Sequence, residues 1–232
     1  MTLKSTVERA ASLPRPALWT LTRYHSGGQP IDYPVSYDDF ERDVIWATDV
    51  LRRYDVGRGS FVLFNTAGAE AAWFEPFLEA VKRLGGVQVF AEKWGWDANR
   101  TEMMARRLPL SMVIGLSDEV VDGVARLGPV AEKLGPVAHL IARPEAALRL
   151  ERDGLSPGRC VLLGPALAIE CPHRRGAHVD PAEWRLRRVG DFVAVSTAGP
   201  RAHHVVDQLT GVSGTLVEEP CPCGLPGPRV KL

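Results

Sequence analysis

Short apolar runs alternate with helical segments along the first two-thirds of the chain, and this alternation is the feature that most constrains its fold. The apolar runs at 61–64, 87–91 and 110–116 are bounded by turn residues, as strands are. Between the first two of these runs, Phe74, Phe77 and Val81 recur at the spacing of one helical face. Strands that alternate with helices pack as a parallel sheet covered by helices. We therefore predict an α/β fold with a parallel sheet flanked by helices.

The C-terminal third has a different pattern. Ser36 and Ser117 are typical residues for helix starts in the earlier part, but beyond Cys171 the helical pattern fades. Short strands bounded by Gly and Pro are predicted at 192–195, 205–206 and 215–217 instead. We therefore expect an α/β core subdomain over residues 1–165, followed by a small β-rich, zinc-bearing subdomain over residues 166–232.

Charge and hydropathy exclude several classes of partner. The chain has 232 residues, with 28 Lys and Arg against 28 Asp and Glu, so no broad positive field is available for phosphate backbones. No apolar run approaches the ~20 residues that span a bilayer, and the N-terminus lacks the apolar core of a secretion signal. We expect a cytoplasmic protein without a nucleic-acid or membrane partner.

A group of cysteine and histidine residues indicates a metal site. Cys171 and His178 lie in ECPHRRGAH, and Cys221 and Cys223 lie in EPCPCG. Ligands from two loops can surround a tetrahedral zinc ion, and in a cytosolic chain a metal explains clustered cysteines better than a disulfide does. With four protein ligands the ion would be structural. His173 is a competing ligand, and free thiols in surface loops are the plainer alternative.

The same residues resemble a known family. The segments GPALAIECPHRRGAH (164–178) and CPCGLPGPRV (221–230) are similar to motifs of the phenylacetate-CoA ligase branch of the adenylate-forming (acyl-CoA synthetase) superfamily. The resemblance implies the core of that superfamily's large N-terminal domain. It also implies a zinc ion at Cys171, Cys221 and Cys223 together with His178, and it favours His178 over His173.

The departures from the family concern its ATP chemistry. The segment 24–30 stands where the family has its phosphate loop, but SGGQP replaces SGTTGKP and lacks both threonines and the lysine. Val161 stands at the magnesium-binding glutamate, and Gln208, next to Asp207, at the ribose-binding aspartate. The sequence ends at Leu232, so we expect the family's mobile C-terminal domain to be absent. Together these losses should raise the adenylation barrier by far more than ~4 kcal/mol, so we expect neither ATP nor Mg²⁺ as a cofactor.

This pattern predicts a truncated, degenerate ligase-like protein. The first hypothesis is a pseudo-ligase that binds an aromatic or other acyl carboxylate, or its thioester, without adenylating it. The candidate ligand-binding residues follow from the phosphate-loop position and are Tyr24, His25, Ser26, Gly27 and Gly28.

The second hypothesis is a repurposed biosynthetic enzyme that uses acid–base chemistry, as in cyclisation, dehydration or acyl transfer. His203, His204 and Asp207 are its candidate catalytic residues, because an imidazole with a pKa near neutrality is the usual proton carrier. A solvated or structural histidine pair is the plainer alternative. A third hypothesis is a homodimer or a subunit of a larger synthetase, including a residually active carboxylate-CoA ligase that works with a partner.

Overall fold

The computed structural model describes residues 8–9, 11–12 and 17–232. A β-hairpin comes first, formed by β1 (Leu18–Ser26) and β2 (Gln29–Ser36), and helix α1 (Tyr37–Arg52) follows it. The elements of the central part are β3 (Phe61–Asn65), α2 (Ala71–Arg83), β4 (Val87–Ala91), α3 (Ala98–Arg107), β5 (Leu110–Leu116), α4 (Asp118–Ala125), α5 (Val130–Leu134), β6 (His139–Ala142), α6 (Pro144–Arg152) and β7 (Gly158–Leu163). Those of the last part are β8 (Ala166–Glu170), β9 (Ala177–His178), β10 (Trp184–Val189), β11 (Phe192–Thr197), β12 (Gln208–Ser213), β13 (Thr215–Val217) and β14 (Arg229–Lys231).

A nine-stranded sheet in the order β13-β14-β9-β8-β7-β6-β5-β3-β4 organises the molecule. The strands from β7 to β4 pair in parallel, and those from β7 to β13 pair antiparallel. The sequence-based prediction of an α/β fold with a parallel sheet flanked by helices is therefore confirmed.

Helices cover both faces of this sheet because side chains alternate along each strand. In β3, Val62 and Phe64 pack in the cluster that contains α1 and α2. Leu63 faces the other way and packs in the cluster formed with α3, α4, α5 and α6. Both predicted caps are present, because the hydroxyl of Ser36 accepts from Asp39 N and that of Ser117 from Val120 N.

A smaller antiparallel sheet, β10-β11-β12, packs against β7 and β8 through a third apolar cluster. The strand predicted at 205–206 is wrong, because the third strand is β12 at 208–213. Val205 instead donates its backbone N–H to the Thr197 hydroxyl, and its carbonyl accepts from Thr197 N, which holds the segment in a connection.

The predicted subdomain boundary at 165/166 falls in the turn between β7 and β8, where Leu163 pairs with Ala166. Strands β8, β9, β14 and β13 continue the large sheet beyond that point, whereas β10 to β12 form their own sheet. The division into two subdomains stays a prediction.

No helix within residues 8–9, 11–12 and 17–232 has both the length and the apolar character needed to cross a membrane.

Candidate metal centre and ligand site

The four predicted metal ligands converge at one edge of the antiparallel half of the sheet. Cys171 follows β8, His178 ends β9, and the Cys221–Cys223 segment lies in the connection between β13 and β14. Strand β9 pairs with β8 on one side and β14 on the other, which brings the two distant loops together. The four candidate ligand atoms all lie within 4.8 Å of one another. His173 is exposed and lies outside this cluster, so the geometry agrees with His178 as the histidine ligand.

The distances within this cluster fit a tetrahedral zinc ion. Cys171 Sγ lies 3.6 Å from Cys221 Sγ, and Cys223 Sγ lies 3.5 Å from His178 Nε2. Zinc bonds of about 2.3 Å to sulfur and about 2.0 Å to nitrogen imply tetrahedral separations of about 3.8 Å and about 3.5 Å. A disulfide would require a sulfur–sulfur distance of about 2.05 Å. The cluster therefore matches metal ligation rather than a disulfide.

Backbone contacts hold the cysteines in their loops. Cys171 O accepts from Arg174 N at 2.9 Å, Cys221 O accepts from Gly224 N at 3.0 Å, and Cys223 Sγ accepts from Leu225 N at 3.4 Å. Gly176 has a φ of +107°, and a Cβ there would lie 3.1 Å from Val230 O. Only glycine fits where the chain turns from Cys171 into β9.

Burial sets the protonation of the cluster. It lowers the pKa of His178 to about 4, with Arg229 acting in the same direction, so the imidazole is neutral near pH 7. Neutral imidazole is the form that binds a metal. Burial raises the pKa of the Cys171 thiol to about 12, and a bound divalent cation would reverse this shift. Cys160 has a pKa raised to about 11 by burial and lies in the core, as expected for a cysteine outside the cluster.

The segment that resembles the phosphate loop is a tight β-hairpin turn. Gly27 and Gly28 have φ values of 55° and 78°, and they join Ser26 to its ladder partner Gln29. Two consecutive positive φ angles are typical of a type I′ turn and favour glycine at both positions. The Ser26 hydroxyl donates to Leu209 O at 2.7 Å and accepts from the Gln208 amide. This hydroxyl is therefore used inside the protein.

Two of the predicted site residues meet through this hairpin. Tyr24 Oη lies 3.0 Å from His203 Nε2, and the Tyr33 ring lies 5.4 Å from the His203 ring. Burial raises the pKa of Tyr24 to about 12, whereas burial and then the nearby positive charge of Arg9 and Arg201 lower the pKa of His203. Near pH 7 both groups are therefore neutral, and one hydrogen bond with a single proton can join the phenol oxygen to the imidazole nitrogen.

Within the described residues, no side-chain hydrogen bond or ion pair joins the other predicted residues to this pair. His25 and His204 are exposed. The Asp207 carboxylate forms an ion pair of 2.9 Å with Arg187, and this pairing lowers the pKa of Asp207. Within the described part of the chain, Asp207 forms no hydrogen bond or ion pair with His203.

Sequence reasoning missed a buried charge network beside this pair. The side chain of Arg201 is fully buried and reaches Asp43 at 2.7 Å, Glu183 at 2.8 Å and Tyr33 Oη at 3.0 Å. Asp43 lies 158 positions earlier, on α1. The network fixes the segment that carries His203 against α1. An arginine just before a histidine pair is too weak a signal to reveal such a contact.

A second missed network lies at the carboxyl edge of the parallel sheet, where ligands of α/β folds commonly bind. Glu70 follows β3, Lys93 follows β4 and Arg143 follows β6. The Glu70 carboxylate accepts from Lys93 Nζ and from Arg143 Nη2, each at 2.8 Å. One carboxylate is thus shared between two cations, which leaves a local net charge of +1.

A partly open cleft, here called the aromatic cleft, lies between α1, α2 and the chain before β10. Its walls include Trp46, Trp73, Phe77, Trp184, Asp43 and Asp180. The space open inside it is about 20 Å³, and one water requires about 10–15 Å³ by such a measure. The cleft therefore has room for a group of about the size of one water molecule.

No protein-family model and no curated protein sequence matches the chain. Solved structures are similar. 2-Hydroxyisobutyryl-CoA ligase, in complex with 2-HIB-AMP and CoA, has a TM-score of 0.70 at 14% identity over 98% of this chain and 60% of that chain. The chain thus spans less than two-thirds of that ligase.

Two further ligases show the same likeness. E. coli MenE, with a bound phenylether-linked analogue of OSB-AMS, has a TM-score of 0.56 at 13% identity over 94% of this chain and 48% of that chain. ATP-bound MatB from Rhodopseudomonas palustris has a TM-score of 0.55 at 13% identity over 85% of this chain and 45% of that chain. At such identities the likeness concerns architecture alone. The chain therefore has the fold of adenylate-forming acyl-CoA ligases.

Proposed function

We propose that the chain is a degenerate ligase-like protein, similar to the phenylacetate-CoA ligase branch, that binds an acyl carboxylate or its thioester without ATP-dependent adenylation. The observation that carries this proposal is the turn at Gly27 and Gly28. A phosphate loop binds through backbone N–H groups and hydroxyls that converge on anionic oxygens. Here the Ser26 hydroxyl is engaged by Gln208 and Leu209, and the turn closes a regular ladder.

The residues expected to manage magnesium and phosphate charge support the same proposal. Val161, which the resemblance aligns with the magnesium-binding glutamate, is buried in β7 within an apolar cluster. Lys93 and Arg143 are both paired with Glu70. Transfer of an adenylyl group requires a metal and cations on the reacting phosphates. Glu70 thus offsets one of these two positive charges, and Val161 supplies no carboxylate for magnesium.

We also propose that the metal is zinc and that its role is structural. Cys171, His178, Cys221 and Cys223 would occupy all four positions of a tetrahedral ion, which would then add stability rather than a reactive water. The contribution of the chain is to hold thiolates and a neutral imidazole at one point.

The class of ligand is suggested by the similar ligases, whose structures contain acyl-AMP compounds, CoA or ATP. Among the ligands of those ligases, an acyl compound is one whose binding requires no site for a triphosphate. Three further proposals rest on the sequence alone. They are that Tyr24, His25 and Ser26 help to bind the acyl compound, that the chain associates with a second copy or a synthetase subunit, and that it is located in the cytoplasm.

A second candidate function has one specific observation in its favour. The 3.0 Å contact between Tyr24 Oη and His203 Nε2 joins a phenol to an imidazole whose pKa is lowered. Such a pair can donate and accept a proton, as a biosynthetic acid–base enzyme requires. Within the described residues, neither His204 nor Asp207 forms a hydrogen bond or an ion pair with Tyr24 or His203, so neither belongs to this proton-sharing pair.

Calorimetry and a pyrophosphate assay test the main proposal. We expect no heat of binding from ATP with Mg²⁺ and no pyrophosphate with any of a panel of aromatic and aliphatic acids, with an active acyl-CoA ligase as positive control. We expect at least one acid or acyl-CoA to raise the melting temperature, by an amount that corresponds to about 2.7 kcal/mol at 100 times Kd. ATP binding with pyrophosphate release would contradict the loss of adenylation.

The variants Tyr24→Phe and His203→Gln separate the two candidates. In a non-catalytic binding protein they change ligand affinity at most. In an acid–base enzyme they abolish turnover of the ligand that the melting assay identifies, while the melting shift persists.

A further inference from the structure

The aromatic cleft combines aromatic walls with acidic side chains. Trp46 and Phe77 contact each other edge to face, with ring centroids 5.7 Å apart. Trp184 already stacks with the Arg201 guanidinium, 4.6 Å from its ring centroid, so one wall takes part in a cation–π contact. Asp43 and Asp180 also line the cleft. The electron-rich faces of such rings attract cations.

Most charges around the cleft are compensated. Asp43 receives both terminal nitrogens of Arg201, at 2.8 and 2.7 Å. Glu183 receives Arg201 and Arg42, each at 2.8 Å. The third carboxylate, Asp39, also binds Arg42. These three carboxylates share two guanidinium groups, which leaves a local net charge of −1.

Asp180 adds a further negative charge. Its side chain accepts from Ala182 N at 2.9 Å, but it forms no ion pair within 4.0 Å in the described part of the chain. Asp180 lines the cleft together with Asp43, so its uncompensated carboxylate borders the open space. A cation in the cleft would offset this negative charge.

Size limits which cation fits. An open volume of about 20 Å³ admits one group of about the size of water. A primary ammonium group has that size and three N–H donors, whereas a quaternary ammonium is several times larger and has none.

We propose that the aromatic cleft binds the primary ammonium head group of a small amine, with Asp180 accepting its hydrogen bonds and the tryptophan rings enclosing it. This inference goes beyond the proposed acyl ligand. A carboxylate would be repelled by the two aspartates, so an acyl compound would reach this cleft only through an amino group.

A salt series on the wild-type chain tests the size and the charge of the occupant. Melting is followed with ethylammonium chloride, potassium chloride, tetramethylammonium chloride and sodium acetate at equal ionic strength, near pH 7.5. We expect only ethylammonium to raise the melting temperature saturably, by roughly 5–11 °C near 100 times Kd. An equal effect of potassium would indicate an inorganic cation site, and no effect of any salt would indicate water alone. Either result, or an equal effect of tetramethylammonium, would overturn the proposal.

Variants locate the effect. Asp180→Asn should weaken ethylammonium binding about tenfold or more, because it removes a charge-assisted hydrogen bond. Asp191→Asn is the matched control, since Asp191 is highly exposed and pairs with Arg188. Unchanged binding in a folded Asp180→Asn variant would refute the role of Asp180. The salt series needs no variant, and it is independent of the pyrophosphate assay, so either proposal can fail alone.

Discussion

Replacing Cys221 with serine should release the metal and destabilise the fold. Cys171 and Cys221 lie 50 positions apart, so a metal that joins them closes a long loop in the unfolded chain. The chain-entropy relation for such a cross-link gives about 4 kcal/mol. For a protein of this size, 1 kcal/mol shifts the melting temperature by roughly 2–4 °C. We therefore expect the variant to melt roughly 8–16 °C below the wild type.

The assay pairs metal analysis with melting curves. Protein purified without added zinc should contain about one zinc ion per chain, and a strong chelator should lower the melting temperature of the wild type to that of Cys221→Ser. The matched control is Cys160→Ala, because Cys160 is buried in the core but lies outside the cluster. That variant is expected to be less stable, yet to retain its metal and its response to the chelator.

Two results would refute this reasoning. The first is wild-type protein that contains no metal and melts at the same temperature with and without the chelator. The second is a Cys221→Ser variant that retains full metal content, since the site would then not need this thiolate.

Two further predictions concern the buried polar groups. Arg201→Leu removes the counter-ion that Asp43 and Glu183 share, and it should lower the free energy of unfolding, measured in urea, by about 3–5 kcal/mol. The control Arg187→Leu breaks an exposed ion pair and should change this free energy far less. Equal losses in the two variants would contradict the role of burial. Burial lowers the pKa of His203, so the unfolded chain binds its proton first and the free energy of unfolding should fall as pH decreases below about 6.5. His203→Gln should reduce that slope in urea titrations at pH 7.5 and 5.5, and an unchanged slope would contradict it.

The parallel half of the fold could be predicted from the sequence because its pattern is local. The run 61–64 alternates between two buried faces, and Ser36 and Ser117 cap helices within one turn of their own position. The cluster that could hold a metal is only partly predictable from spacing, which leaves free thiols and His173 as alternatives; the family resemblance favours the set with His178 that the fold brings together.

The remaining features depend on contacts that are distant in sequence. Arg201 and Asp43 are 158 positions apart, and no periodicity links them. The family resemblance aligns the segment around Gly27 and Gly28 with a phosphate loop, but the structure has a hairpin turn there. The type of this turn is set by the backbone φ angles of the two glycines, which the resemblance does not reveal. His203 and Asp207 are near neighbours in sequence, but the Asp207 carboxylate pairs with Arg187, whereas His203 pairs with Tyr24.

The position of β9 has a consequence for synthesis of the protein. This two-residue strand lies between β8 and β14, and His178, which ends it, faces a cysteine encoded 45 positions later. At roughly 5–20 residues per second, the ribosome needs about 2–9 s to make that interval. During this interval the nascent chain contains only Cys171 and His178 of the four proposed metal ligands. Strand β9 can pair with β8, but β14 is not yet available to it. The zinc proposal therefore predicts that cells short of zinc accumulate molecules whose parallel half is folded and whose antiparallel edge is open to proteases.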